Sequence, residues 1–185
     1  IPELLVLAPT SVEEYLSMLR WSLKQRENPV AILIPSTELC HATGPVRESF
    51  SLPAHYEIVS RGREAAILAP GDMQALGKKT AAVLEEKYGV RPTLVNPGVV
   101  SDLDEVLLSL LKEDHRAVLV LEDGLLSGGF GAKVAGFYGD SEMKVLLRGL
   151  PKAFFDRYRI STLLRAQGMT PEQLAEACAA AIEMK

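Results

Sequence analysis

The 185-residue chain is 48% hydrophobic and 24% charged, enough apolar material for one complete core with chain to spare. Its net charge of −4 and pI near 5.5 argue against nucleic acid or an anionic membrane surface as principal partner, since both are held largely by clustered Lys and Arg. Cys40 and Cys178 make no disulfide framework, and no apolar run approaches the ~18–20 residues that span a bilayer, so a reducing, cytoplasmic setting is expected.

Ile1-Pro2-Glu3 leads at once into a strand pattern, LLVL at 4–7, with neither a charged n-region nor a cleavage signature. The chain reads as a piece of a longer protein. Ser11 followed by Glu14 forms a capping box, and Val12, Tyr15, Leu16, Leu19 and Leu23 recur at helical spacing, which predicts an amphipathic helix over 11–26. VAILI at 30–34 predicts a second buried strand. Two strands and one helix cannot close a core, so residues 1–37 are expected to be the tail of a truncated domain. The Ser-, Thr-, Pro- and Gly-rich stretch that follows has no sustained period and predicts a linker over 38–55.

From residue 56 the pattern becomes regular. Two strand-like runs flank Ser60-Arg61-Gly62-Arg63, which predicts a hairpin. Asp72 is placed to cap a helix carrying Met73, Leu76, Val83 and Leu84; TLVN (93–96) reads as a strand; Ser101 is placed to cap a helix carrying Leu103, Val106, Leu107, Leu110 and Leu111. AVLVLE (117–122) is the most apolar strand, a helix begins near Gly128, and KVLLRG (144–149) is a further strand. Thr170, Pro171 and Gln173 sit at the N-cap, N1 and N3 positions of a closing helix that runs to about 183. The expected fold of residues 56–185 is α/β: a mostly parallel five-stranded sheet with one antiparallel edge strand and helices on both faces.

In such a sheet, ligands favour the crevice beyond the carboxyl ends of the strands. The loops there are Asn96-Pro97-Gly98, Glu122-Asp123-Gly124 and Arg148-Gly149-Leu150-Pro151. Beside them, Gly128, Gly129 and Gly131 open a helix whose free N–H groups can cradle an anion. GGFGAKV lacks the third glycine of a dinucleotide fingerprint and the Lys-Ser/Thr pair of a P-loop. Close packing of helix on strand is therefore the leading reading of these glycines, and a weak anion site the second. Glu122 and Asp123 point to opposite sides of a strand end, which suits capping or solvation better than joint work on one substrate atom. His41, His55 and His115 lie at no metal-ligand spacing, and Ser127 lacks the G-x-S-x-G setting of a nucleophile elbow. Trp21, Phe154, Phe155 and Tyr158 read as aromatics of the core or of an interface, with core the leading reading for most of them.

The order of these segments resembles the C-terminal part of the 1-deoxy-D-xylulose-5-phosphate synthases, a transketolase-like family that depends on thiamine diphosphate. IPELLVLAPTSVEEYLSMLRWSL and PVAILIP resemble the closing strand, helix and strand of that family's pyrimidine-binding domain. AAILAPGDMQALGKKTAAVLEEKYGVRPTLVNP, LDEVLLSLL, VLVLEDGLLSGGFGAKVAG, RGLPKAFFDRY and LLRAQGMTPEQLAEA resemble successive parts of its C-terminal domain. The resemblance implies a parent that condenses pyruvate with glyceraldehyde 3-phosphate to give deoxyxylulose 5-phosphate, an isoprenoid precursor. It implies thiamine diphosphate and Mg²⁺ in that parent, bound upstream of residue 1, and no catalytic, cofactor-binding or metal-binding residue in this chain. The implied partners are the N-terminal and pyrimidine-binding domains of the parent and a second copy in a homodimer.

The departures are specific. Where the family has A-I-R-Y-P-R-G, whose first arginine binds the acceptor's phosphate, this chain has Ala31-Ile32-Leu33-Ile34-Pro35-Ser36-Thr37, so the arginine position is Leu33. R-F-V-K-P-L-D appears as Gly98-Val99-Val100-Ser101-Asp102-Leu103-Asp104, and Lys152 replaces the Asp of GLPD. A structural and dimerisation role in such a transferase is the leading expectation. The alternatives are another transketolase-like subunit, such as the β component of a 2-oxo acid dehydrogenase, and an autonomous anion- or nucleotide-binding α/β module.

Overall fold

A computed structural model describes residues 3–34, 40–153 and 159–183. β1 (Leu5–Leu7), α1 (Val12–Lys24) and β2 (Val30–Ile32) come first, and β1 pairs with β2 in parallel. Then follow β3 (Glu57–Ser60), β4 (Glu64–Leu68), α2 (Met73–Tyr88), β5 (Thr93–Asn96), α3 (Glu105–Leu111), β6 (His115–Leu125), α4 (Phe130–Tyr138), β7 (Lys144–Leu150), α5 (Ile160–Ala166) and α6 (Pro171–Glu183).

The larger sheet has five strands in the order β3-β5-β4-β6-β7. All neighbours are parallel except β3, which runs antiparallel to β5 at the edge. This matches the expected sheet but corrects the expected hairpin at 60–63. β5 inserts between β3 and β4, so the two runs flanking Ser60-Arg61-Gly62-Arg63 never pair. Adjacent strand-like segments signal a hairpin only when nothing later competes for the edge, and here β4 gains a parallel partner on both sides.

Alternation along the central strands sorts the core into two layers. Ala65, Ile67, Leu119 and Leu121 face one way and pack with Leu84 of α2 and Leu174, Ala175 and Cys178 of α6. Ala66, Leu68, Val118 and Val120 face the other and pack with Leu108 and Leu111 of α3 and Phe130, Val134 and Tyr138 of α4. Both faces are thereby covered, which is why these strands are apolar on both sides.

The helix ends follow chemistry that is partly local. At α6 the capping box is complete, with Gln173 N donating to Thr170 Oγ1 at 3.3 Å and Thr170 N to Gln173 Oε1 at 3.2 Å. At α1, Ser11 Oγ accepts from Glu14 N at 3.1 Å, but the Glu14 carboxylate turns to Thr10 instead of closing the box. The expected cap of α3 moves: Asp104 Oδ1 accepts from Leu107 N at 2.9 Å, and Ser101 Oγ instead accepts from Val6 N at 3.0 Å. Asp72 precedes α2 without a side-chain capping bond.

The buried side of α1 also differs from expectation. Glu14, Ser17 and Met18 are buried and Trp21 packs edge-on against Phe50, with ring centroids 5.6 Å apart, while Leu16 is 38% and Leu23 74% exposed. The helix turns a polar-flanked stripe inward because Phe50, Ala54 and Val99 close the small core formed with Leu5 and Leu7. β1 is joined to the loop after β5: Ala8 N donates to Gly98 O at 2.8 Å and Val100 N to Val6 O at 2.9 Å. Phe154, Phe155 and Tyr158, expected as core or interface aromatics, and Pro35, Ser36 and Thr37 lie outside the described residues.

Candidate functional site

Consecutive crossovers place β5 on one side of β4 and β6 on the other, so the direction of strand order reverses at β4. Beyond the carboxyl ends of β4 and β6 lies a cleft of about 500 Å³. The loop after β4 contributes Pro70, Gly71 and Asp72, the end of β6 contributes Glu122, Asp123 and Gly124, and Val6, Ala8, Leu33 and Ile34 close it from the two-stranded sheet. Crevices at this position are where open α/β sheets bind ligands.

Glu122 decides what the glycine turn does. The residue is 7% exposed, and Oε1 accepts from Phe130 N at 2.7 Å while Oε2 accepts from Gly131 N at 3.1 Å. The N-terminal amides of α4 thus face an anion supplied by the chain itself. The favourable position of a negative charge at a helix N-terminus is filled from the strand before it. Gly129 and Gly131 permit the approach: a Cβ at Gly129 would collide with the Glu122 carboxylate, and one at Gly131 would lie 3.0 Å from Glu122 Oε2 and from Leu147 Cδ2. Gly128 has φ +79°, a left-handed conformation that suits glycine, and lines the cleft with Gly129.

The electrostatics of the cleft are acidic. Burial raises the Glu122 carboxyl above its ordinary value, against the pull of the Gly131 and Phe130 amides and the Lys133 charge. Burial, helped by the Asp123 charge, pushes Asp72 up to about 6. Asp123, which stands on the exposed side of the strand end, is moved in the same direction by partial desolvation. Lys133 is the cation among the described lining residues, and its Nζ donates to Ser101 O at 2.6 Å. The Phe130 and Gly131 amides and one N–H of the Lys133 ammonium are thus already engaged within the chain.

The other residues singled out in the sequence are dispersed. Leu33 reaches the cleft, 52% exposed, and Gly98 (φ +67°) lies under the Arg47 guanidinium, where a Cβ would sit 3.2 Å from Arg47 Nη1. His115 is buried, with Nε2 2.8 Å from Thr93 Oγ1 and Nδ1 2.7 Å from Asp114 Oδ1. His41 is 2.8 Å from Glu13 Oε1 at the surface. No group of three or more His, Cys, Asp or Glu side chains suited to a metal occurs among the described residues, and no helix among them is long and apolar enough to cross a membrane. Asp72, whose place in the sequence suggests only a helix cap, lines the cleft instead. Its position after β4 was readable, but its pairing with Asp123 depends on β4 and β6 being neighbours.

Residues 54–174 match the family described as "Transketolase, C-terminal domain". The chain belongs to the transketolase C-terminal domain family. The chain is similar to 1-deoxy-D-xylulose-5-phosphate synthase from Shouchella clausii, with 33% identity over 183 residues, and to that from Clostridium botulinum strain Alaska E43, with 31% over 179. In both cases the match covers 95% of this chain and 28% of the relative. The chain therefore spans a little over a quarter of the length of these curated relatives. Among solved structures, a split-gene transketolase described as an inactive β4 tetramer aligns with TM-score 0.86 and 22% identity, over all of this chain and 60% of that one. A Pichia stipitis transketolase aligns with TM-score 0.72 and 17% identity, over 98% of this chain and 25% of that one. These structural likenesses support the mostly parallel five-stranded fold.

Proposed function

We propose that this chain is the C-terminal structural and dimerisation portion of a 1-deoxy-D-xylulose-5-phosphate synthase-like transferase. Residues 1–37 are the tail of its pyrimidine-binding domain, 38–55 the linker, and 56–185 the C-terminal domain. The observation that carries this reading is the 33% identity along 95% of the chain to 28% of a synthase. The chemistry of the cleft supports it: the α4 amides are occupied by Glu122, which leaves Gly128, Gly129 and Gly131 as packing glycines before they are an anion site.

On this reading the parent uses thiamine diphosphate and Mg²⁺ held upstream, and makes an isoprenoid precursor from pyruvate and glyceraldehyde 3-phosphate in the cytoplasm. The cofactor carries the carbanion chemistry in such enzymes, and the residues here contribute contacts and support. Leu33 offers no charge-assisted fork to an acceptor phosphate, so the parent's acceptor is not held by a phosphate contact at this position. Leu16 and Leu23 on α1 and Val106 and Leu110 on α3 are exposed apolar residues available to the partner domains or a second copy.

Sedimentation velocity combined with calorimetry tests the proposal. The expected result is a dimer that takes up no thiamine diphosphate in the presence of Mg²⁺. A monomer that binds the cofactor at micromolar concentration would overturn it.

A further inference from the structure

The amino ends of the central strands, opposite the strand-end cleft, carry a chain of hydrogen bonds centred on a histidine. His115 opens β6 and is 8% exposed, and Thr93 opens β5 and is 3% exposed. His115 Nδ1 lies 2.7 Å from Asp114 Oδ1 and 3.1 Å from Leu111 O, and its Nε2 lies 2.8 Å from Thr93 Oγ1. Thr93 Oγ1 in turn accepts from Gly62 N at 3.0 Å and stands 3.1 Å from Gly62 O, to which it can donate. Gly62 belongs to the connection between β3 and β4, which is clamped on the residues entering β5. Arg63 N donates to Arg91 O at 2.9 Å, and a Cβ at Gly62 would collide with that same oxygen.

These groups have two proton arrangements. Both neighbours of Nδ1 are acceptors, a carboxylate and a carbonyl, so Nδ1 carries hydrogen whether the ring is neutral or charged. The neutral ring therefore presents a lone pair at Nε2, and the protonated ring an N–H. Thr93 has one hydroxyl proton for two acceptors. Facing the neutral ring, Oγ1 must donate to Nε2, since two lone pairs 2.8 Å apart would repel; Gly62 O then loses that hydrogen. Facing the protonated ring, Oγ1 accepts from Nε2, and its own proton is released to Gly62 O.

We propose that His115, Thr93 and Gly62 form a pH-sensitive switch: a proton taken up at His115 Nε2 turns the Thr93 hydroxyl onto the Gly62 carbonyl and ties the β3–β4 connection more firmly to β5. His115 lines a surface cavity of about 360 Å³ at the amino ends of β6 and β7, through which a proton arrives. Asp114 is the counter-charge at the ring, and Arg63 reaches its other oxygen at 3.6 Å. Glu64, the register partner of His115 on β4, is held by Arg116 at 3.2 Å. Lys112 at the end of α3, Glu142, and Lys144 at the start of β7 share the cavity, to which α6 contributes Ala181 and Ile182. The switch is separate from the strand-end cleft and does not rest on the role proposed above.

NMR of the ¹³C,¹⁵N-labelled chain tests it between about pH 5 and 8, where histidine changes charge. At the upper end the His115 ring is expected as the Nδ1–H tautomer. As the pH falls, the Gly62 carbonyl ¹³C signal should shift in one step whose midpoint coincides with that of the His115 ring. Thr93→Val should abolish the Gly62 step while the ring still titrates, and His115→Gln should abolish it whether or not the valine variant folds. An Nε2–H tautomer, a ring that keeps one form across this range, a Gly62 step with a separate midpoint, or a step that survives either substitution would overturn the proposal.

Discussion

Glu122, at the end of β6, holds Phe130, the first residue of α4, through a 2.7 Å hydrogen bond from the Phe130 amide to its carboxylate. Strand end, glycine turn and helix are thereby closed into one unit. The turn has the outline of an anion-binding loop, and the anion is part of the chain.

Removing that carboxylate should therefore do two things. Glu122→Ala leaves the Phe130 and Gly131 amides without a partner and is expected to cost about 1–2 kcal/mol, as loss of a helix cap does, measured by urea unfolding. It also opens the helix terminus to an external anion. Phosphate should raise the Tm of Glu122→Ala more than that of the unmodified chain, and equal shifts would mean that the amides do not become available.

Gly129→Ala tests the same contact from the other side. The added methyl meets the Glu122 carboxylate, so the cap is displaced or the turn shifts, at a cost of about 1–3 kcal/mol. The double variant Glu122→Ala/Gly129→Ala should lose less than the sum of the two single losses, because both act on one interaction.

Asp72 makes the pH dependence. Its carboxyl is raised from 3.8 to about 6 by burial and the Asp123 charge, so the folded chain holds a proton more tightly than the unfolded chain between these values. Stability from this group is present below pH 4 and is lost as pH rises to about 6. A shift of this size is nominally ~3 kcal/mol; solvent screening at a partly exposed carboxyl reduces it to about 1. Asp72→Asn should raise the Tm at pH 7.5 and leave it unchanged at pH 4. Equal stabilisation at both values would assign the gain to something other than ionisation.

Glu14 joins α1 to β5 through Asn96, and its burial makes it sensitive. Glu14→Ala strands Thr10 N and Asn96 Nδ2 and should cost about 2–4 kcal/mol. The loss is checked by chemical denaturation, with an m-value unchanged if the small core and the sheet still unfold together.

The two thiols should differ sharply in reactivity. Cys40 is exposed, whereas Cys178 is wholly buried and its thiol is pushed up to about 11 by burial. Thiolate is the reactive form, so a thiol reagent at pH 8 should titrate one cysteine in the native chain and two in denaturant. Two rapid native reactions would mean that the α6 face opens readily.

Much of this architecture could be read along the chain, because its signals are local. The strand at Thr93–Asn96, the complete box at Thr170 and Gln173, and the alternation of strands with helices each depend on residues a few positions apart. The sequence by itself therefore determined the class of fold, the covered sheet and the family resemblance carried by its glycine turn. Tertiary structure alone decided which strands are neighbours, which side of α1 is buried and which atoms fill the helix ends. β5 displaced the apparent hairpin because pairing energy depends on the edges available in space. Asp104 took the cap expected of Ser101 because Val6 approached Ser101 from ninety-five residues away. Asn96 met Glu14 only where β5 and α1 come together, since contacts between distant segments leave no period in the sequence.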